Sequence, residues 1–179
     1  MDQNLPDKST QRPSTAKLVG IYLNDHLAGA SGGIELAHRL ADAEHGTDLG
    51  EQITALAKEI TEDRAALVRI MRSLDVTPRH GFSALSWTVE KVARLKLNGR
   101  LLHRSPLSTL VELEALRLGV LGKHQLWTTL AHTYAKDPRL NTDRLHELRH
   151  RAEVQAFTLE NLRQAAAVDA LTAPDSWDA

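Results

Sequence analysis

No cysteine occurs anywhere in the 179 residues. Disulfides, thiol catalysis and thiolate metal sites are therefore excluded together. Aromatic residues are scarce, at 4%. The core must then be built from Leu, Ala, Ile and Val. That favours helices, because sheets draw on aromatic and β-branched side chains. Net charge is also nearly absent, at a formal −1, so no whole-molecule field draws in nucleic acid or a membrane surface. No apolar run approaches the ~20 residues that span a bilayer. Residues 1–14 are polar, carry Pro6 and Pro13, and lack an apolar signal core. They read as a disordered lead-in to a cytoplasmic protein.

What is present is enough chain for one domain with a real core. Hydrophobic residues are 42% and charged residues 25%, both ordinary for a folded globular chain. Punctuation residues divide it into four long helical stretches. The first is expected to begin at Ser14 or Thr15 and end at Gly46, because hydroxyls cap helix starts and Gly tolerates the left-handed turn at their ends. The second begins at Asp48, with Glu51 three residues later as in a capping box, and runs to Leu74 ahead of Pro78. The third has Ser105 as its cap and Pro106 at its first position, and it stops before Pro138. The fourth begins at Asn141 or Thr142 and fades by Pro174. Each is about 27–30 residues, or roughly 40–45 Å at the helical rise.

The short links make the first pair and the last pair antiparallel hairpins. The connection over residues 76–105 is long enough to cross the bundle. It carries Leu85, Val89, Val92 and Leu95 at the spacing of a short helix. The expected architecture is an all-α four-helix bundle over residues 15–171, up-down-down-up, with a long crossover and a loose tail at 172–179. This layout resembles the ferritin-like superfamily, and the short helix resembles the one in mini-ferritins. The wording of Tyr22-Leu23-Asn24-Asp25-His26-Leu27 and Lys96-Leu97-Asn98-Gly99-Arg100 resembles an uncharacterised actinobacterial family.

The ferritin-like resemblance implies a di-iron site: a Glu on the first and third helices and Glu-x-x-His on the second and fourth. The first helix offers Glu35, with Asp25 and His26 nearer its middle. The second offers Glu59 and Glu62, but Ala65 stands where the His belongs. The third offers Glu112 and Glu114 near its start. The fourth carries Glu147-Leu148-Arg149-His150, near its start and off its apolar stripe. Glu62, Glu147 and His150 are thus the candidate metal residues, with iron, manganese or zinc possible although no cofactor is expected. His146-Glu147-Leu148-Arg149-His150 also spells a zinc-hydrolase segment, which needs a third ligand and a cleft.

Apolar positions at helical spacing define a stripe on each helix. The first reads Leu18, Ile21, Asp25, Ala28, Gly32, Leu36, Leu40; the second Ile53, Leu56, Ile60, Asp63, Leu67, Ile70, Leu74. The third reads Leu110, Leu113, Arg117, Val120, His124, Trp127, Ala131; the fourth Leu145, Leu148, Ala152, Gln155, Leu159, Leu162. Asp25, Asp63, Arg117, His124 and Gln155 interrupt these stripes. They are expected to form a buried polar layer, with an Asp63–Arg117 bridge where ferritin-like proteins hold metal, because buried charges persist only when paired. An arginine at that centre would repel a cation. The run Ala28-Gly29-Ala30-Ser31-Gly32-Gly33 predicts a close approach of another helix or a kink, since Gly weakens helices. The crossover is basic through Lys91, Arg94, Lys96, Arg100, His103 and Arg104, with no aromatic interleaved beyond Trp87 ahead of them, which argues against single-strand nucleic-acid binding.

The functional expectation is a non-catalytic ferritin-like bundle that acts through protein association, as a homodimer or with a protein partner, without a complete di-iron site. Two alternatives stand beside it. One is a metalloprotein holding iron or manganese at a non-standard site drawn from His26, Glu59, Glu62, Glu114, His124, Glu147 and His150. The other is a zinc hydrolase at the His-Glu-x-x-His segment.

Overall fold

Each helix starts where a side-chain oxygen meets an otherwise orphaned backbone N–H. In the computed structural model, which describes residues 13–79 and 105–172, there are four: α1 (Thr15–Ala43), α2 (Asp48–Ser73), α3 (Pro106–Thr133) and α4 (Thr142–Thr172). Ser14 accepts from the Lys17 amide at 3.4 Å, and Ser105 from the Leu107 amide at 3.3 Å. Asn141 accepts from the Arg144 amide at 2.9 Å. On α2 the cap is Thr47, which accepts from Gly50 N at 3.1 Å, one residue earlier than the expected Asp48. Asp48 and Glu51 instead occupy the first turn, where a negative charge complements the helix dipole. Gly46 supplies the left-handed step between α1 and α2, at φ 80°. The short helix expected at Leu85, Val89, Val92 and Leu95 lies outside the described residues, as do the lead before residue 13 and the tail after 172.

The links at residues 44–47 and 134–141 fold α1 onto α2 and α3 onto α4. The two hairpins then face one another. α1 packs on α3, while α2 and α4 touch far less. Thr109 of α3 donates to Glu44 at 2.6 Å, and Arg39 donates to Glu112 at 3.4 Å. The C-terminal end of α1 and the N-terminal end of α3 are therefore neighbours. At the other end Arg139 lies 3.7 Å from Asp75, just beyond α2. Among the described residues there are no strands.

The core is aliphatic, as the shortage of aromatics requires. Leu23, Leu40, Ile53, Leu113, Ala152 and Leu159 are fully buried, and Trp127 is the one large ring among them. The stripes expected on α2 and α4 face this core. The first half of α1 does not follow its expected stripe. Leu18 and Ile21 are about half exposed, whereas Leu23 and Leu27 are buried on roughly the opposite side of the helix. The small-residue run after Leu27 interrupts the apolar period, so the phase set by Leu18 and Ile21 carries no packing information. The close approach expected at that run is not found at Gly29 or Gly33, where an added Cβ would meet nothing within 4 Å.

A close approach does occur at Gly50. A Cβ there would overlap the Glu44 carbonyl, lying 2.8 Å from its carbon. The α1–α2 link is drawn over the first turn of α2 with no room for a methyl group. We expect Gly50→Ala to lower stability by about 1–3 kcal/mol through overpacking, although Ala is the better helix former. Thermal denaturation checks this, and a gain in melting temperature would show that the link can yield.

Candidate functional site: a buried ionic network between three helices

Asp63 is the deepest charge in the described part of the molecule, at 1% exposure. It sits on the core face of α2 between Ile60 and Leu67, so its ionised carboxylate has no water to solvate it. Such a charge persists only if cations and hydrogen bonds replace the lost hydration. Lys123 of α3 donates to Oδ2 at 2.6 Å, and Arg151 of α4 donates to Oδ1. Gln155, also 1% exposed, donates from Nε2 to the same Oδ2 at 3.3 Å and to Glu59 at 2.8 Å. Its Oε1 accepts from Lys123 at 2.5 Å. The amide can point only this way, because an ammonium is donor-only and carboxylates are acceptor-only. Arg151 also donates to Glu62 at 3.1 Å on the solvent side.

Lys123 falls on the face of α3 that Leu116, Val120 and Trp127 bury, one residue before the expected His124. Arg151 lies beside the α4 stripe, and its stem carries the charged tip inward to Asp63. The sequence stripes locate Asp63 and Gln155 and pass over the two cations for these reasons. One available signal was chemical: a carboxylate amid Ile60, Ala66 and Leu67 requires a cation from a facing helix. Burial pushes the Lys123 ammonium below its ordinary range, and the Asp63 carboxylate opposes that shift. A lysine with a depressed folded pKa holds its proton less tightly in the fold than in the unfolded chain. Its contribution to stability therefore rises with pH between the depressed value and about 10.5.

The other expected members of the polar layer stand elsewhere. Asp25 is exposed, on the turned-out side of α1. Arg117 does not reach Asp63. It lies at the α3–α4 seam, 3.0 Å from Glu160, which also accepts from Arg163 at 2.7 Å. It stands at the rim facing α4, and Leu116, one residue earlier, takes the core position in its place. His124 is on the same seam, with Nε2 3.4 Å from Glu153, and the exposed His150 approaches that carboxylate at 3.5 Å. His26 is half-buried, edge-on to Tyr22 with ring centroids 4.7 Å apart. Burial lowers its pKa against the pull of Asp25.

The candidate metal residues are not brought together. Glu62 is half exposed and bound to Arg151. Glu114 is half exposed, with Arg163 at 3.9 Å. His146, Glu147 and His150 lie on the open face of α4, and Arg144 holds Glu147 at 2.7 Å. Among the described residues no group of three His, Asp or Glu side chains could hold a metal ion.

Two expectations follow. Asp63→Ala strands two cations beside the core, so it should cost about 3–5 kcal/mol in urea unfolding. Arg117→Ala breaks a partly exposed pair and should cost no more than about 1 kcal/mol. Equal costs would contradict this ranking. The second concerns acid. Hydrogen bonds from Arg163 and Gln164 hold the Glu160 carboxyl down to about 2, against an ordinary 4.5. Its stabilising contribution is complete above about pH 4.5 and disappears as pH falls through about 2. Melting temperatures between pH 5 and pH 2 should therefore fall less steeply in Glu160→Gln than in the parent.

No protein-family model, no curated protein and no solved structure matches this chain.

Proposed function

We propose that this protein is a ferritin-like bundle, ordered up-down-down-up, that acts by associating with protein surfaces and carries no complete di-iron site. The observation that carries this reading is the pair of cations on Asp63. Lys123 and Arg151 occupy both carboxylate oxygens at mid-bundle. The carboxylates and the amide that would otherwise face a metal are already neutralised or hydrogen-bonded by side chains of the chain itself. An ion entering there would have to displace an ammonium and meet repulsion from a guanidinium.

The helix order rests on the end-to-end contacts. Thr109 with Glu44 puts the start of α3 beside the end of α1, and Asp75 with Arg139 puts the α3–α4 link beside the end of α2. Connecting those ends requires a crossover of the bundle's length between α2 and α3, as the ferritin-like plan has. No described helix is long and apolar enough to cross a membrane. The cytoplasm remains the expected compartment, with a homodimer or a protein partner as the working form.

The alternative of iron or manganese at a non-standard site would have to be assembled from separate pairs, such as Glu153 with His124 and Glu153 with His150, which form no ligand group as they stand. One measurement separates the two. Untagged protein from cells grown with iron, manganese and zinc should carry no stoichiometric transition metal by mass spectrometry. A stoichiometric load, lost in His124→Ala, would overturn the proposal in favour of the metal-bound reading.

A further inference from the structure

From Val154 to Leu171 the outer face of α4 carries no charge. Directly opposite the core-facing Ala152, Gln155, Leu159 and Ala166 lies a second stripe: Val154, Phe157, Asn161, Gln164, Val168 and Leu171. Val154 is 51% exposed, Phe157 69%, Val168 59% and Leu171 69%. In a chain that is one-quarter charged, the solvent side of a helix is where charges belong. Here none falls on the stripe, and apolar residues occupy both sides of the helix.

The stripe is also symmetric in order. Read from either end it runs two apolar residues three apart, a central pair of amides, and two apolar residues three apart. Two copies of α4 crossing antiparallel about a two-fold axis near residues 162–163 would place Val154 against Leu171 and Phe157 against Val168. Asn161 would meet Gln164, with amide donors and acceptors on both sides. No charge would face a like charge within the stripe, and the helix dipoles would oppose. A two-fold interface requires this kind of self-complementary patch.

We propose that the outer face of α4 from Val154 to Leu171 is the surface through which two copies of this chain form an antiparallel dimer. This rests on the association reading above and names its partner as a second copy. The absence of cysteine makes the test direct, because an introduced thiol is the sole one in the chain.

Sedimentation equilibrium of the full chain should show a concentration-dependent dimer. Phe157→Asp should raise the dimer dissociation constant at least ~30-fold, as for a central hot-spot residue, with an unchanged helical signal and melting temperature for the monomer. Asn161→Cys, beside the axis, should form a covalent dimer on mild oxidation, and Asp143→Cys, at the far end of α4, should not. A dimer that survives Phe157→Asp and leaves Asn161→Cys uncross-linked would overturn this face while leaving the association reading standing. A wild-type chain that stays monomeric at every concentration, with no cross-linking of Asn161→Cys, would overturn the dimer altogether.

Discussion

The carboxylate of Asp63 constrains the middle of the bundle more than any other group. It is sealed among aliphatic side chains on α2, and its charge has to be met from α3 and α4 at once. Lys123 and Arg151 do so from either side, and Gln155 closes the ring through Glu59. An aliphatic core alone is indifferent to small slides of one helix along another, since Leu against Leu is much the same a turn away. The network is not indifferent. Displacing α4 by one turn along α2 would separate Arg151 and Gln155 from Asp63 together and leave a bare buried charge. The polar cluster is thus what sets the relative register of the three helices, a recognised use of buried polar groups.

The same constraint bears on function. A mid-bundle cluster of carboxylates and an amide is the setting in which a helical bundle can hold an ion, and here ammonium and guanidinium groups already fill it. On the outside of the bundle the distribution of charge is uneven. The α3–α4 seam is laced by Arg117, Glu160, Arg163, His124 and Glu153. The outward face of α4 beside it is uncharged from Val154 to Leu171. A helix with apolar residues on two opposite sides has one side for its own core and one left for another surface.

Most of the fold was legible in the sequence because it is written in local chemistry. Ser14, Ser105 with Pro106, and Gly46 punctuate the chain through backbone hydrogen bonding and backbone conformation that involve only near neighbours. The helix starts consequently fall within a residue of the expected ones, while α1 and α3 end at Ala43 and Thr133, short of the expected Gly46 and Pro138. The stripes on α2 and α4 were legible too, because their apolar positions keep helical spacing from end to end with one polar interruption each. On α1 the run from Ala28 to Gly33 breaks the period, and the face carrying Leu18 and Ile21 proved to be the exposed one. Asp63 and Gln155 were visible as polar interruptions of a stripe. Their cations were not: Arg151 starts beside the α4 stripe and reaches inward through a flexible stem, and on α3 the buried face runs through Leu116, Val120, Lys123 and Trp127, one residue from the expected Arg117 and His124.

By itself, then, the sequence determined the class of architecture, the number and limits of the long helices, and the need for at least one buried ionic contact. Those follow from propensity, capping and periodicity, which act over a few residues. Only the tertiary structure decided which cation meets which carboxylate. It alone turned Arg117 to the seam, left Asp25 in solvent, and set α4 with an apolar face outward. Those outcomes depend on how four helices rotate about their own axes when packed. A rotation of one residue, about 100° around a helix, is enough to exchange a core position for an exposed one.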